Sequence, residues 1–208
     1  ETIETQSKSG KPFFIYLPLA SPHTPIVPTP EWLNKSGLTP YADFVMQTDH
    51  EVGRILQALD ERGLSTNTLI MFTSDNGCSP QAGYPELLKA GHNPSGIYRG
   101  HKADIFDGGH RVPFLVRWPA KVKAGTVSDA LVGQIDLLAT IADLLGQSLP
   151  ADAGEDSFSL LPLLRGEDRP VREHAVSCAS SGHTTFTLCR RMPNCRHTLS
   201  LKPRSFSA

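Results

Sequence analysis

Three stretches of this sequence hold side chains that could do chemistry. In Leu69-Ile70-Met71-Phe72-Thr73-Ser74-Asp75-Asn76-Gly77 a strand-forming apolar run ends in a carboxylate, a carboxamide and a glycine. Carboxylate and carboxamide oxygens are the ligands a hard divalent cation takes. The same three residues also spell an ordinary turn, because Asn and Gly both tolerate positive φ. His23 sits between Pro22 and Pro25, and these prolines bias its segment to extended backbone and exclude a helix. Arg99-Gly100-His101-Lys102-Ala103-Asp104 and Phe106-Asp107-Gly108-Gly109-His110-Arg111 collect cations beside glycines, a composition suited to meeting an oxyanion at close range. A solvated charged loop has the same composition. His92 and Asn93, in Ala90-Gly91-His92-Asn93-Pro94, are candidates for the substrate side of a cleft, and equally for a plain polar loop.

Something must position these groups. Phe13-Phe14-Ile15-Tyr16-Leu17 reads as a buried strand that delivers His23 just past its carboxyl end. Thr39-Pro40 opens a helix, with Thr39 as N-cap and Pro40 at the first helical position. Its apolar face is Tyr41, Phe44, Val45, Thr48, Val52, Ile55, Leu56 and Leu59, and Gly63 stops it. Thr68 to Thr73 is a second strand. Strand, helix, strand is the crossover of a parallel sheet, and open parallel sheets bind ligands at their strands' carboxyl ends. Two such ends carry His23 and Asp75-Asn76. The fold class expected is therefore α/β, a mostly parallel sheet flanked by helices. Residues 77–111 lack periodicity, as a functional loop does. Val112 to Val116 is a third strand with Pro113 near its start. A helix capped by Asp136 is expected to bury Leu137, Leu138, Ile141, Leu144 and Leu145, and Leu160 to Leu164 to pack against apolar surface. Trp32 and Trp118 read as packing residues.

Charged residues at 20% and hydrophobic ones at 39% describe an ordinary globular protein, and a net charge of −1 argues against a general nucleic-acid binder. The average hides a split: after Glu173 there are five basic residues and no acidic one, so the tail carries +5 and the body −6. No apolar run is long enough to span a bilayer. Four cysteines, Cys78, Cys178, Cys189 and Cys195, are too few and too uneven for a disulfide scaffold.

The sequence resembles the type I sulfatases of the alkaline-phosphatase superfamily, in the part that follows the nucleophile. The matching pieces are Pro12 to Leu17 with Ser21-Pro22-His23-Thr24-Pro25, Phe72 to Gly77, Gly100-His101-Lys102 with Phe106 to Pro113, Gly133 to Leu138, and Ser159 to Leu164. The resemblance implies that Asp75 and Asn76 are two ligands of a divalent cation, Ca²⁺ in most of the family. It places Lys102 on the sulfate and its bridging oxygen, and His23 where it holds or protonates the leaving alkoxide. His92, Asn93 and Arg99 then fall to substrate binding, while His101, His110 and Arg111 flank Lys102 and rank below it; Asp107 receives no catalytic role. The implied activity is hydrolysis of a sulfate monoester in a small molecule or glycan, in a periplasmic or secreted protein.

Three departures qualify this. The formylglycine nucleophile of the family arises in a Cys-x-Pro-x-Arg motif that this sequence lacks; Cys78-Ser79-Pro80-Gln81-Ala82 has no Arg and follows the metal turn. The family's adjacent aspartates are also missing. The chain therefore reads as a truncated catalytic domain over 1–175, without turnover by itself. Residues 176–208 read as an aberrant or poorly ordered basic, Cys- and Ser-rich tail. Two other readings compete: a phosphoester or phosphonate hydrolase of the same superfamily, and a non-catalytic remnant holding half a site. A zinc site from Cys178, His183, Cys189, Cys195 and His197 matches no common finger spacing.

Overall fold

The computed structural model describes residues 1–167, 169–181, 184–191 and 198–201, with side chains as far as Ser177. The chain divides into two compact units, residues 1–116 and 117–208.

The first unit begins with helix α1, Thr2–Ser9, which buries no side chain. The long helix α2 spans Pro40–Asp60. Its start follows from its first residues: Thr39 Oγ1 accepts the Ala42 N–H at 3.4 Å, and Pro40 needs no hydrogen-bond acceptor at a position where helical N–H groups have none. The apolar face lies inward at Leu59, which is buried, and at the half-buried Phe44, Val52, Ile55 and Leu56; Val45 is exposed. Asp43, 2% exposed, is the buried polar residue of this helix. Its two carboxylate oxygens accept Asn34 N–H at 2.8 Å and Ser36 N–H at 2.7 Å, so the helix holds the preceding loop by its first turn.

Strand β1, Ile70–Thr73, neighbours strand β2, Phe114–Arg117, in a two-stranded sheet. Both start two residues later than the sequence suggests, the first after the 3₁₀ turn Ser65–Asn67 and the second after Pro113. Between them the aperiodic stretch contains a 3₁₀ turn at Pro80–Ala82 and the short helices α3, Tyr84–Lys89, and α4, Asp107–His110. Ala82, Leu87 and Leu59 are the buried apolar residues of this unit.

One expected strand is absent. Residues 12–20 form no regular element, and Phe14 and Tyr16 are 74% and 78% exposed. Apolar, β-prone composition makes a segment able to pair, but a strand exists only where neighbours take up its N–H and C=O groups. Among the described residues the sheet of this unit consists of β1 and β2 alone.

In the second unit, helix α5 spans Asp136–Leu144 and helix α6 Leu161–Leu164. The face that α5 buries is not the apolar one. Asp136 and Thr140 are fully buried; of the apolar residues Leu137 and Ile141 are half-buried, while Leu138, Leu144 and Leu145 are 48%, 40% and 66% exposed. Hydrogen bonds decide this orientation. Asp136 is the first helical residue rather than the cap, and its carboxylate accepts Gly133 N–H at 2.7 Å, Phe158 N–H at 3.0 Å and the Arg172 guanidinium. Thr140 Oγ1, one turn on, accepts Leu160 N–H at 2.9 Å, which carries the buried Leu160 and Leu161 against the helix. Arg172 also donates to the Asp156 carbonyl at 3.1 Å and stands 4.9 Å over the Phe158 ring. Beyond it, strands β3, His174–Ser181, β4, Thr184–Arg191, and β5, Thr198–Leu201, form an antiparallel sheet in which His174 pairs with Arg191 and Thr187 with Ser200. Of the residues considered for zinc, His183, Cys195 and His197 lie outside the described residues, and the side chains of Cys178 and Cys189 outside those described.

Breaking one partner of a buried ion pair leaves an uncompensated charge, so Arg172→Ala is expected to destabilise the second unit by about 3–5 kcal/mol. Urea denaturation followed by Trp118 fluorescence measures it, and an unchanged midpoint would contradict the assignment. The Asp43 carboxyl is held below its ordinary range, chiefly by the Ser36 hydroxyl and backbone N–H, with Asn34 assisting against burial. A depressed folded-state pKa contributes stability above the unfolded pKa and loses it as pH falls through the folded one. The melting-temperature difference between wild type and Asp43→Asn should therefore be full near neutrality and shrink below about pH 4.

Candidate functional site

The first unit brings the three chemically promising stretches together, two of them main chain to main chain and the His23 loop through side chains. At the end of β1, Asp75 is exposed and Asn76 half-buried. Ser74 Oγ donates to the Asn76 carbonyl at 2.9 Å, and Asn76 Nδ2 donates to the Gly77 carbonyl at 3.0 Å, which fixes the carboxamide with its oxygen as the group left to face a cation. Gly77 is a glycine for a different reason than turn geometry. Its φ is not positive; instead, a Cβ there would stand 1.8 Å from the Gly108 carbonyl oxygen. Gly77 N–H donates to the Gly109 carbonyl at 2.9 Å, main chain against main chain. Gly108 and Gly109 are crowded in turn: a Cβ would lie 2.1 Å from the Gly100 oxygen in one case and 2.4 Å from the Asp104 oxygen in the other.

One residue past the Asp75-Asn76-Gly77 turn, the Cys78 carbonyl accepts Lys102 N–H at 2.9 Å. The Lys102 side chain then reaches across the chain to His23, with Nζ 3.4 Å from Nε2. The other ring nitrogen, Nδ1, is 2.8 Å from the Thr24 carbonyl. A carbonyl can only accept and an ammonium only donate, so the two contacts assign the proton to Nδ1 and the lone pair to Nε2. Helix α2 holds the His23 loop: Thr48 Oγ1 donates to Ser21 Oγ at 2.9 Å, and Gln47 Oε1 accepts Thr29 N–H at 3.0 Å. Neither Thr48 nor Gln47 stands out in the sequence, where Thr48 reads as part of an apolar face.

The residues assigned to substrate binding are placed less uniformly. His92 is exposed. Asn93 is exposed but engaged, its oxygen accepting Tyr84 Oη at 3.0 Å and Ser95 N–H at 3.1 Å, and its Nδ2 donating to the Gly96 carbonyl at 2.6 Å. Arg99 lies 3.7 Å over the Phe106 ring, a stacking that leaves its N–H edge free to point outward. Ser95 Oγ donates to the Gly100 carbonyl at 2.8 Å, and the Tyr84 ring meets His101 edge-on at 5.3 Å, so this polar loop braces the Lys102 segment.

Burial pushes the Cys78 thiol up, opposed by a hydrogen bond with the Tyr41 hydroxyl, and the net rise disfavours the thiolate that would attack. Burial likewise pushes His110 down, against a hydrogen bond to the Asp104 carbonyl, and leaves its Nε2 without a partner among the described residues. Asp75 and Asn76 are hard oxygen donors of the kind Ca²⁺ and Mg²⁺ take. They form a partial shell: among the described residues no three His, Cys, Asp or Glu side chains gather to hold a metal.

The Sulfatase family model matches residues 1–147. An N-acetylgalactosamine-6-O-sulfatase of Bacteroides thetaiotaomicron is 44% identical over 173 residues, covering 82% of this chain and 34% of that protein. Mouse steryl-sulfatase is 39% identical over 158 residues, 76% of this chain and 25% of the relative. A solved Bacteroides thetaiotaomicron structure, from work on the metabolism of multiple glycosaminoglycans, superposes with a TM-score of 0.75 at 38% identity, over 89% of this chain and 42% of that one. The chain thus spans between a quarter and a third of the length of these curated relatives.

The glycine contact gives a paired prediction. Gly77→Ala should destabilise the first unit by about 3 kcal/mol, the upper end of overpacking, because the clash is with backbone. Gly53→Ala, inside α2 with open space around its Cβ, should instead stabilise by roughly 0.5–1 kcal/mol. Thermal melts of the two variants check the contrast in sign.

Proposed function

This chain belongs to the sulfatase family, an α/β fold, and we propose that it binds a sulfate monoester and carries the leaving-group side of its hydrolysis. The observation that carries this is the Lys102 Nζ–His23 Nε2 contact of 3.4 Å, on a loop tied by one hydrogen bond to the Asp75-Asn76 turn. As the S–O bond of a sulfate ester breaks, negative charge builds on the bridging oxygen. An ammonium aimed at that oxygen stabilises the charge and can give up its proton to the departing alkoxide. His23, with its lone pair toward Lys102, keeps the ammonium in place until an ester oxygen takes over as acceptor. Protonated, the imidazole would present donors on both nitrogens and repel Lys102, so the arrangement suits a neutral ring.

Sulfatases depend on a divalent cation, and Asp75 and Asn76 are the residues that would hold it, Ca²⁺ being the ion their oxygens suit. Bound, such an ion polarises the sulfate oxygens and makes sulfur more electrophilic. Exposed charges contribute little until water is excluded: at 4 Å a charge pair is worth about 1 kcal/mol in water and about 4 kcal/mol at the edge of a protein. His23 and Asp75 are both exposed, so the substrate's own bulk must help to dry the site. The names of the relatives point to sulfated sugars or sterols as the substrate class, with His92 and Arg99 on the side where the remainder of the molecule lies.

Titration calorimetry of the chain with 4-nitrophenyl sulfate in the presence of Ca²⁺ tests the proposal. Lys102→Met should weaken binding about tenfold or more, since a hydrogen bond to a charged group is worth roughly 1.5–3 kcal/mol. Asp75→Ala should abolish the Ca²⁺ dependence. Equal affinity in wild type and Lys102→Met, or a clear preference for 4-nitrophenyl phosphate, would refute it.

A further inference from the structure

We propose that Asp104 is a positioning residue for Lys102, its carboxylate fixing the direction in which the lysine leaves the backbone. This rests on the reading of Lys102 as the cation that meets the sulfate ester. Residues 101–104 close on themselves. His101 N–H donates to Asp104 Oδ2 at 3.0 Å, and Asp104 N–H returns to the His101 carbonyl at 3.0 Å. The same Oδ2 lies 3.4 Å from His101 Nδ1, whose hydrogen-bond partner is the Lys102 carbonyl at 3.0 Å. Lys102 and Ala103 form the corner of this turn.

Ala103 shows that the corner is held rather than relaxed. Its φ is +74°, a left-handed conformation that a residue with a Cβ adopts only when its surroundings enforce it. The carboxylate packs so closely on Gly100 that a Cβ there would stand 2.9 Å from Oδ2, and the Asp104 carbonyl is in turn the partner of His110. The Lys102 main chain is fastened at both ends, its N–H to the Cys78 carbonyl at 2.9 Å and its carbonyl to His101 Nδ1 at 3.0 Å. The second of these is only as firm as His101 itself, and it is the Asp104 carboxylate that holds His101 through its N–H. Asp104 thereby sets the line along which Nζ reaches His23.

Amide hydrogen exchange and binding of 4-nitrophenyl sulfate, both on the full chain with Ca²⁺, test this together. Asp104→Ala should speed exchange of the His101 and Lys102 amides about tenfold and weaken binding about fivefold, with the amides of α2 unchanged. Asp104→Asn keeps an acceptor oxygen and should restore both to within about twofold of wild type. Rescue by Asn separates positioning from loss of fold. If Asp104→Ala unfolds the chain, Asp104→Ser takes its place under the same two readouts. Wild-type exchange in Asp104→Ala, or fast exchange with unchanged binding, overturns the proposal. Unchanged binding in Lys102→Met would instead overturn the sulfate reading, and the exchange data would still judge the turn.

Discussion

The first unit is built around a place where two stretches of main chain touch with no side chain between them. Gly77 at the foot of the Asp75-Asn76 turn lies against Gly108 and Gly109, so close that a methyl group on any of the three would meet backbone atoms. Backbone is the least compressible neighbour a residue can have, because it cannot rotate out of the way. The contact therefore behaves as a rigid joint. It joins the end of β1 to the loop that carries Lys102, and the hydrogen bonds Gly77 N–H to Gly109 O and Lys102 N–H to Cys78 O run across it. Asp75, Asn76 and Lys102 are thereby mounted on one piece of main chain. Groups fixed to rigid backbone need no rearrangement to act together, which is what preorganisation requires.

His23 is mounted differently. It arrives from a proline-flanked loop with no regular structure, fastened to α2 by the Ser21–Thr48 and Thr29–Gln47 hydrogen bonds. Its contact with Lys102 is between side-chain ends, on a half-exposed surface where such contacts are weak. The rigid part of the site thus holds Asp75, Asn76 and Lys102. The softer part holds His23. A helix-held loop is also what makes the tautomer definite, since the Thr24 carbonyl beside Nδ1 moves with the ring.

The second unit solves a different problem with the same economy of parts. Apolar side chains of α5 stay at the surface while Asp136 and Thr140 go inside. A buried carboxylate is unfavourable unless its oxygens are fully used, and here two backbone N–H groups and a guanidinium use them. The result specifies register: Gly133, Phe158 and Arg172, far apart in sequence, are each fixed to one side chain. Non-directional apolar contact would allow α5 to roll; this set of hydrogen bonds does not.

Local signals in the sequence determined much of this protein. Thr39-Pro40 and the following periodicity define α2 to within a residue, β1 lies inside its expected strand and β2 overlaps its own and runs one residue past it, because caps, prolines and short-range patterning act through neighbours along the chain. The ordered motifs around His23, Asp75-Asn76 and Lys102 were enough to assign the family. What the sequence misread depends on partners distant along the chain. Phe13 to Leu17 has the composition of a buried strand, yet without a pairing neighbour it stays extended and exposed. The buried face of α5 was misjudged because hydrophobicity predicts burial only where no hydrogen-bonded set competes. Gly77 was read as a turn glycine, whereas only the approach of Gly108 reveals that space, not φ, demands it. The same holds for the orientation of the ring: residue types name His23 and Lys102, but only the fold puts the Thr24 carbonyl beside Nδ1 and the Lys102 side chain beside Nε2.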